Sequence, residues 1–357
     1  MVHLSYCIHP RGEYNFAQIL RAFNPKKGIV MARVVVLGAS GFLGANLIRY
    51  LSSQPDIILT AADLKPHKPS ADSAKIRFLT GDLQDPHFAI RCVSGQDIIF
   101  QCAAQSSHLR SMKYPYQDVE SNILLSLRLL ETVRHHNPEA LVVYPSTTTV
   151  TGKLEGDFAD ESHPERPLDL YSAHKSLAEK YHFIYHHRYG LRAVVLRFSN
   201  LFGPLGHAGI EYNFINHFIH CALKNKPLKV FGAGDQIRNI LFVEDAAALL
   251  WKATQHSDLM GGDVFLATGP YHHSIKEIAE AIVTVFGRGH IVHIPWPEKR
   301  LALEIGSAFF NSGKIREILG WAPVYNLREG LTRTRELIAE QNAEDAALFD
   351  YPRPLRL

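Results

Sequence analysis

From Met31 onward, short apolar runs alternate with segments whose apolar residues recur at helical spacing. The strand-like runs are continuously apolar rather than alternating, which is typical of parallel strands that are buried on both faces. The predicted strands are ARVVVLG, DIILTAADL, KIRFLTGD, QDIIFQCAA, ALVVYPS and LRAVVLRFSN. Repeated strand–helix units of this kind favour one fold class, α/β with a doubly wound parallel sheet.

This regularity weakens after about residue 203, and the change suggests a domain boundary. The segment that follows is rich in glycine, and the last third of the chain contains mostly helix-like stretches. The run VEDAAALLWKATQ is predicted to be a helix that rejoins the main sheet. The expected layout is an N-terminal extension (1–30), a sheet domain (31–203, rejoined by 236–268), a smaller α-rich C-terminal substrate lobe (204–235 and 269–340) and a tail (341–357).

Composition argues against several classes of function. The chain has 357 residues, 46% hydrophobic and 20% charged, which suits one large α/β domain with a smaller partner. No apolar run reaches the ~20 residues needed to cross a bilayer. The net charge of +3, with mixed signs, gives no basic stripe for nucleic acid. The four cysteines form no CxxC pair, so we expect reduced thiols in a cytoplasmic protein. The 20 histidines show no metal-ligand spacing, so we expect no metal. We also expect no membrane or nucleic-acid partner.

The run VVVLGASGFLG places three glycines, at 38, 41 and 44, between a predicted strand and a predicted helix. The first glycine permits a tight turn, the second leaves room for a pyrophosphate, and the third lets the helix pack on the strand. The helix N-terminus adds partial positive charge. The pattern therefore predicts a dinucleotide site, with cofactor contacts at Gly38, Ser40, Gly41, Phe42, Leu43 and Gly44.

Two carboxylates at strand ends refine the cofactor prediction. Asp63 ends the second strand, 19 residues beyond the last of these glycines, where it can bond the adenosine ribose and repel a 2′-phosphate. NAD is therefore favoured over NADP, although Lys65 and Lys68 follow and could weaken that preference. Asp82 and Leu83 lie in the GDL motif that ends the third strand, and we expect them beside the adenine.

The sequence YSAHK places Tyr171 and Lys175 four residues apart on one face of a predicted helix. A tyrosine hydroxyl is a poor base at neutral pH because its pKa is about 10. An ammonium group ~4 Å away, at an effective dielectric near 20, contributes on the order of 4 kcal/mol, or roughly 3 pKa units. We therefore predict that Lys175 brings the Tyr171 phenol into the range of a general base.

Together these elements resemble the extended short-chain dehydrogenase/reductase family, whose members act mostly on nucleotide sugars. The resemblance covers residues 31 to about 337 and rests on GASGFLG, Asp63, GDL, CAA, Asn122, STTTVTG, YSAHK, LRFSNLFGP, IRNILFVED and LGWAP. It implies a Rossmann sheet, NAD as cofactor and a nucleotide-diphosphate sugar as substrate. It also implies a homodimer through helices at 117–136 and 170–189, whose apolar faces could equally pack on the sheet.

The resemblance assigns roles to individual residues by their positions in these motifs. Tyr171 would be the general base and acid, and Lys175 would hold the nicotinamide ribose. Thr147 matches the catalytic serine or threonine that bonds the reacting sugar hydroxyl, and Thr148 is a second candidate substrate contact. The remaining implied contacts are Ala103 and Ala104 with the cofactor, Asn200 with the sugar–phosphate, and Arg238 and Arg300 with the diphosphate.

The chain departs from the family pattern at several positions. Thr151, Asn239 and Asn311 stand where tyrosine, aspartate and aspartate are usual. Thr148 and Thr149 stand where the family's 4,6-dehydratases carry an Asp-Glu or Ser-Glu pair, and a threonine hydroxyl cannot act as an acid or base near neutral pH.

These threonines favour epimerisation, at C4, by transient oxidation to a keto-sugar. On this interpretation Thr148 and Thr149 contribute mainly packing at the strand end. Three alternatives stay open: a dehydratase or decarboxylase with an acid from elsewhere in the site, a keto-sugar reductase, and a non-catalytic NAD-sensing scaffold.

Two histidines lie close to these motifs. His108 follows the fourth strand, on a loop expected to face the sugar, and is either a substrate contact or a solvated loop residue. His174, inside YSAHK, is predicted by helical spacing to face away from Tyr171 and to be structural.

Overall fold

A seven-stranded parallel sheet forms the centre of the computed structural model, which describes residues 31–65, 76–210, 212–302 and 304–344. Its strands are β1 (Ala32–Leu37), β2 (Ile57–Asp63), β3 (Ile76–Thr80), β4 (Ile98–Gln101), β5 (Leu141–Thr147), β6 (Arg192–Phe198) and β10 (Val264–Ala267). The order across the sheet is β10-β6-β5-β4-β1-β2-β3, and every neighbouring pair is parallel. The predicted α/β class with a doubly wound, Rossmann-like sheet is confirmed.

The sheet is covered on both faces, since consecutive side chains of β1 pack in different apolar clusters. Val34 and Val36 pack in one apolar cluster, whereas Val35 and Leu37 pack in another. Successive residues of a strand point to opposite faces, so a strand covered on both sides must be apolar at each position. This requirement explains the continuous apolar runs in the sequence.

Helices cover each face of the sheet. Their bounds are α1 (Phe42–Ser52), α2 (Pro86–Val93), α3 (His108–Lys113), α4 (Pro115–Asp118), α5 (Leu125–His136), α6 (Leu170–Tyr189) and α8 (Val243–Gln255). Side chains of α1 and α8 belong to the cluster on one face, and side chains of α2, α5 and α6 belong to the cluster on the other.

The run YQDVESNILLSLRLLETVRHHN, residues 116–137, is predicted from its spacing to be one long helix, but the structure shows that it is not uniform. A π-helical segment, Val119–Leu124, separates α4 from α5, and a 3₁₀ turn, Thr148–Thr151, follows β5. The π-helical segment contains Asn122, which is buried and donates from Nδ2 to the Gln105 carbonyl at 3.1 Å. Such local widening of a helix is frequent near functional sites.

The C-terminal region contains more strands than the sequence pattern predicts. Its remaining helices are α7 (Phe214–Leu223), α9 (Ser257–Met260), α10 (Ile275–Phe286), α11 (Glu298–Leu301), α12 (Gly313–Leu319) and α13 (Leu327–Glu344). Its strands are β7 (Asn200–Phe202), β8 (Pro227–Phe231), β9 (Ile237–Phe242), β11 (His272–Ser274) and β12 (His290–Ile294), arranged as the small sheets β11-β9-β7 and β12-β8. The domain boundaries stay a prediction. Strand β10 lies within the predicted segment 236–268 and pairs with β6 in the main sheet.

The predicted extension (1–30), Cys7, Lys68 and residues 345–357 of the predicted tail lie outside the described residues. Among those described, Cys92, Cys102 and Cys221 are free thiols. No helix in the described part of the chain has both the length and the apolar character to cross a bilayer. The same residues contain no group of three or more His, Cys, Asp or Glu side chains that could hold a metal ion.

Candidate active site

The glycines of the loop after β1 are required by close backbone packing. Gly38 has a φ of +82°, and a Cβ there would lie 2.5 Å from the backbone N of Ala103. A Cβ on Gly44 would lie 2.1 Å from the Gly38 carbonyl oxygen. Both distances are far below van der Waals contact, so the loop, the end of β4 and α1 meet only because these side chains are absent.

The N-terminus of α1 is open to an anion. Gly41 is the N-cap, no side chain caps the helix, and its first turn contains no acidic residue. The first backbone N–H groups of a helix have no partner within it, and they carry partial positive charge. This arrangement fits the pyrophosphate of a dinucleotide. Ser40 of this loop is buried, whereas Phe42 and Leu43 are half-buried.

The Asp63 carboxylate at the end of β2 holds this loop. It accepts hydrogen bonds from the backbone N–H of Ser40 at 2.9 Å and of Lys65 at 3.1 Å. A carboxylate oxygen can accept more than one hydrogen bond, so both oxygens keep capacity for ribose hydroxyls. The position therefore suits the role that the sequence predicts.

The other predicted cofactor contacts are spread over the neighbouring strand ends. Asp82 is exposed and accepts a hydrogen bond from the Gln84 backbone at 2.8 Å, as in a capped turn. Leu83 is half-buried against the apolar cluster beneath β1 and β4. Ala103 is half-buried beside Gly38, and Ala104 is exposed. The hydrogen bond from the Gln84 backbone shows that the Asp82 carboxylate already has a structural role.

Tyr171 lies in the first turn of α6, where the N-cap is Asp169. The Tyr171 ring contacts the His108 ring edge to face, with 4.8 Å between the centroids. Burial raises the pKa of Tyr171 above its ordinary value, and the negative charges of Asp169 and Asp118 raise it further. The phenol is therefore held in its protonated form by its protein surroundings.

Lys175 is buried on α6, and its ammonium group is directed at β5. Its Nζ donates to the Pro145 carbonyl at 2.6 Å and lies 3.9 Å from the centroid of the Tyr144 ring. Burial lowers the pKa of Lys175 to about 7. The structure thus differs from the prediction that Lys175 lowers the pKa of Tyr171, because two carboxylates and burial dominate the surroundings of that phenol.

Replacing Lys175 with methionine should raise the free energy of unfolding by about 1–4 kcal/mol at pH 6, because it removes a buried charge. Below pH 7 the amine is charged in both the folded and the unfolded chain, so the full free-energy cost of burying the charge lowers the stability of the folded chain. That cost falls as the pH rises from about 7 towards the ordinary value of 10.5. Urea unfolding of both proteins at pH 6 and pH 9 should show a smaller gain at the higher pH, and an equal gain at the two pH values would contradict this cause.

A chain of hydroxyl groups begins at Thr147, the last residue of β5. Thr147 Oγ1 lies 3.0 Å from Thr149 Oγ1, which lies 2.8 Å from Ser172 Oγ. Ser172 Oγ in turn donates to Asp169 Oδ2 at 3.1 Å. Thr149 therefore does more than the predicted packing at the strand end, whereas the Thr148 side chain is buried, with 3% of its surface exposed.

Two carboxylate–histidine pairs lie next to Tyr171, and sequence reasoning missed both carboxylates. His108 Nδ1 is 2.7 Å from Asp169 Oδ2, and His174 Nδ1 is 2.5 Å from Asp118 Oδ2. Burial disfavours the charged form of Asp169, but the hydrogen bonds from His108 and Ser172 outweigh it and hold the pKa of Asp169 below its usual value. One local signal was present in the sequence, since an aspartate three residues before Ser172 is a common N-cap pattern.

His108 and His174 occupy better-defined positions than the sequence indicates. His108 begins α3 instead of lying on a loop, and 35% of its side chain is exposed. His174 is mostly buried, with 12% of its side chain exposed, and bonds a carboxylate that is itself 1% exposed. The site therefore contains a second acid–base pair, His108 with Asp169, that the sequence does not predict.

A buried ion pair joins α6 to β6 next to the site. Arg197 Nη2 lies 2.6 Å from Glu179 Oε2, and Arg197 Nε lies 3.0 Å from Glu179 Oε1. Glu179 also accepts a hydrogen bond from Ser146, which neighbours Thr147, and Arg197 bonds Glu165 at 2.5 Å. The strand that ends at Thr147 and the helix that carries Tyr171 are thus joined by charge-assisted hydrogen bonds.

The predicted diphosphate arginines lie in the C-terminal region. Arg238 Nη2 forms a 2.5 Å salt bridge with Glu304, and Arg238 Nη1 donates to the Gly306 carbonyl at 2.5 Å. A diphosphate at Arg238 must therefore compete with the Glu304 carboxylate. Arg300 is half-buried on α11, and Asn200 Nδ2 donates to the Asn239 carbonyl at 3.1 Å.

The departures at Asn239 and Thr151 have a physical reason. Asn239 is fully buried, donates to the carbonyls of Gly269 and Tyr271, and accepts from the Gly269 N–H at 2.7 Å. An aspartate could accept but not donate, so it would leave the carbonyls of Gly269 and Tyr271 without this partner. The Thr151 hydroxyl is also buried and donates to the Thr148 carbonyl at 2.8 Å.

Comparison with known proteins places this geometry in a family. Residues 34–267 match the model of the NAD dependent epimerase/dehydratase family. The chain is 26% identical to a UDP-glucose 4-epimerase of Mycolicibacterium smegmatis, over 87% of this chain and 99% of that protein. It is also 26% identical to a dTDP-glucose 4,6-dehydratase of the same species, over 85% of this chain and 92% of that protein.

A solved structure agrees with this assignment. An epimerase from Methanothermobacter thermautotrophicus superimposes with a TM-score of 0.80 at 25% identity, covering 90% of this chain and 98% of that one. The family model spans more than half of the chain, including the glycine-rich loop, Asp63 and the YSAHK segment. The chain therefore belongs to the NAD dependent epimerase/dehydratase family, and NAD is its cofactor.

Proposed function

We propose that this protein is a nucleotide-sugar epimerase that inverts C4 through transient oxidation to a keto-sugar. The observation that carries the proposal is the absence of an acid at residues 148 and 149, directly after Thr147. Both positions hold threonines, one buried and one bonded to Ser172. Oxidation and re-reduction at one carbon need a single proton acceptor, and Tyr171 supplies it.

The chain's own residues would divide the work as follows. The loop at Gly38–Gly44 and Asp63 hold the dinucleotide, and Lys175 bonds the nicotinamide ribose. Thr147 bonds the reacting hydroxyl, and Tyr171 takes its proton. When bound, oxidised NAD would supply the acceptor and later the donor of the hydride, and its positive charge would oppose the effect of the carboxylates that raise the pKa of Tyr171.

A second candidate function is a 4,6-dehydratase or related lyase. The pair formed by His108 and Asp169 favours it, because this pair lies against Tyr171 and could supply the acid–base group that residues 148 and 149 lack. The equal identity of 26% to an epimerase and to a dehydratase does not separate the two reactions. A non-catalytic scaffold is less well supported, since Tyr171 and Lys175 are both present. A keto-sugar reductase would use the same two residues and differs from an epimerase in consuming NADH or NADPH.

The decisive experiment follows the products from a panel of UDP-, GDP-, CDP- and dTDP-sugars by NMR. An epimer of unchanged mass would support the proposal, and protein purified without added cofactor should carry NAD by mass spectrometry. A 4-keto-6-deoxy product or released CO2 would show a lyase. Net consumption of NADH or NADPH would show a reductase, and no turnover on any sugar would favour the scaffold.

Replacing Asp63 with alanine should weaken NAD binding by about 10–100-fold, because it removes a charged hydrogen-bond acceptor worth about 1.5–3 kcal/mol. The change also frees the Ser40 N–H that positions the phosphate loop. NADP should lose less affinity, since its 2′-phosphate no longer meets a negative charge. Calorimetric titration of both dinucleotides tests this, and equal losses for the two would show that Asp63 only supports the loop.

A further inference from the structure

The Asp169 carboxylate determines which nitrogen of the His108 ring carries a proton. Its Oδ1 accepts from the Ser172 backbone N–H at 2.8 Å, and its Oδ2 accepts from Ser172 Oγ at 3.1 Å. Burial opposes ionisation of Asp169, but the hydrogen bonds from His108 and Ser172 outweigh it and hold its pKa below the usual value. An ionised carboxylate can only accept, so His108 Nδ1, at 2.7 Å from Oδ2, must be the donor.

This assignment determines what the other ring nitrogen can do. A neutral imidazole has one N–H and one lone pair, so with the proton at Nδ1 the lone pair is at Nε2. In the part of the chain that the structure describes, His108 Nε2 has no hydrogen-bond partner. The side chain is 35% exposed, and its ring lies edge to face against the Tyr171 ring. His108 thus offers a hydrogen-bond acceptor beside the phenol that the proposed function uses.

The backbone that carries His108 is fixed by its own hydrogen bonds. Ser107 is the N-cap of α3, is 0% exposed, and accepts from the Arg110 backbone N–H at 3.2 Å. The Ser107 N–H donates to Gln105 Oε1, and Gln105 Nε2 donates to the Asp118 carboxylate. His108 is therefore held both through its backbone and through Nδ1. A group that is held in this way loses little freedom when a ligand binds to it.

We propose that His108 Nε2 accepts a hydrogen bond from the sugar hydroxyl next to the reacting one, and that this contact selects the substrate. The proposal rests on the proposed function, since it takes the reacting hydroxyl to be the one that faces Tyr171. The centroids of the two rings are 4.8 Å apart, so the groups that they bind belong to neighbouring carbons of one sugar. For inversion at C4 the selected group is the C3 hydroxyl. The reacting hydroxyl still gives its one proton to Tyr171, and the neighbouring hydroxyl keeps its own.

The contact restricts the class of substrate. A free hydroxyl has a proton to donate to Nε2, whereas a hydrogen, an ether or a fluorine at the same carbon has none. A sugar without that proton leaves the acceptor desolvated and unpaired, which lowers its affinity and its rate of reaction. The selected class is therefore nucleotide sugars whose C3 hydroxyl is unmodified.

Two substitutions of His108 separate the substrate contact from the contact with Asp169. Asparagine carries its amide nitrogen on Cγ, where histidine carries Nδ1, and glutamine carries its amide group two bonds beyond Cγ, where histidine carries Nε2. His108→Asn keeps a donor to Asp169 but loses the acceptor, so kcat/KM should fall roughly 5–100-fold. His108→Gln loses the donor to Asp169 but offers an acceptor through its amide oxygen, so its loss should be smaller.

The sugar hydroxyl itself is tested with the 3-deoxy form of the accepted nucleotide sugar. In the wild type its kcat/KM should be lower than that of the parent sugar by a similar factor. In His108→Asn the two sugars should react equally well, because the acceptor is already gone. The 6-deoxy sugar is the matched control and should respond to His108→Asn as the parent sugar does. Calorimetric affinities for Tyr171→Phe with NAD bound, with and without His108→Asn, give the same comparison without turnover.

Nitrogen-15 NMR of the labelled histidines reads the position of the ring proton directly. At pH 8, where an ordinary imidazole is neutral, the signal that disappears in His108→Gln should come from a ring protonated at Nδ1. In Asp169→Asn the amide oxygen must stay on the Ser172 backbone N–H, so the amide nitrogen faces His108 and donates to Nδ1. The ring proton of that variant should therefore be found at Nε2.

Four results would overturn the substrate contact. They are wild-type kcat/KM in His108→Asn, an equal or larger loss in His108→Gln, a 3-deoxy penalty that persists in His108→Asn, or a wild-type ring protonated only at Nε2. Each of these leaves the proposed epimerase intact. If the wild type forms no epimer from any nucleotide sugar, the proposed function fails, and the affinities measured with Tyr171→Phe then decide whether His108 contacts the hydroxyl.

Discussion

Turnover should fall by about 10²–10⁴-fold when Tyr171 is replaced by phenylalanine, because the change removes the main proton acceptor of the site. Only one oxygen atom is lost, and the ring can keep its edge-to-face contact with His108. The phosphate loop lies on a different strand and helix, so NAD should stay bound. Steady-state kinetics on the accepted nucleotide sugar, with NAD content by mass spectrometry, measure both effects.

The control for this prediction is Tyr189→Phe, which removes the same atom from the exposed end of the same helix. Its turnover should equal that of the wild type. Unchanged turnover in Tyr171→Phe would rule out the mechanism proposed for this phenol. A loss of NAD from Tyr171→Phe would instead show that the tyrosine contributes mainly to cofactor binding.

Replacing Arg197 with methionine should lower the free energy of unfolding by about 3–5 kcal/mol, because it leaves a buried carboxylate without its cation. Glu179 is 0% exposed and receives three hydrogen bonds from the Arg197 guanidinium. Arg197 also neutralises part of the charge of Glu165. Urea unfolding at neutral pH, followed by circular dichroism, gives the change directly.

Two variants test the cause of this loss. Removing both partners, as Arg197→Met with Glu179→Met, should recover much of the stability, since an apolar pair needs no charge compensation. Arg33→Met, in an exposed pair with Asp97 at 3.3 Å, should change the stability far less, because solvent screens an exposed ion pair. If the double variant is less stable than Arg197→Met, the network is held together by something other than charge pairing.

The sequence predicts best those elements whose residues form a recognisable pattern of apolar side chains over a continuous stretch of chain. The inner strands β1, β2, β4, β5 and β6 contain continuous apolar runs, because burial on both faces favours apolar residues there, whereas the edge strand β3 is only partly buried. The missed strands β7, β9, β11 and β12 have three to six residues and lie in small sheets. They also lack a continuous apolar run, since β9 contains Arg238 and Asn239 and β11 consists of His272–Ser274.

The π-helical segment and the hydroxyl chain illustrate the same limit within the site. Helical spacing predicts that residues 116–137 are helical, but not that the spiral widens at Val119–Leu124. Residue types predict that Thr147 lies at a strand end, but not that Thr149 bonds Ser172 on another element. The contact between Thr149 and Ser172 depends on how α6 packs against β5, and a pattern within one segment of the chain cannot predict that packing.

The amino-acid sequence by itself determined the doubly wound sheet, the glycine-rich loop and the shared helix face of Tyr171 and Lys175, because each follows from residue types at short, regular spacing. Only the tertiary structure decided the ionisation of the site. Asp169 and His108 are 61 residues apart, and Arg238 and Glu304 are 66 apart, yet both pairs are in contact. Burial and charges brought together from distant segments set the pKa of Tyr171 and of Lys175, and spacing along the chain contains no record of either.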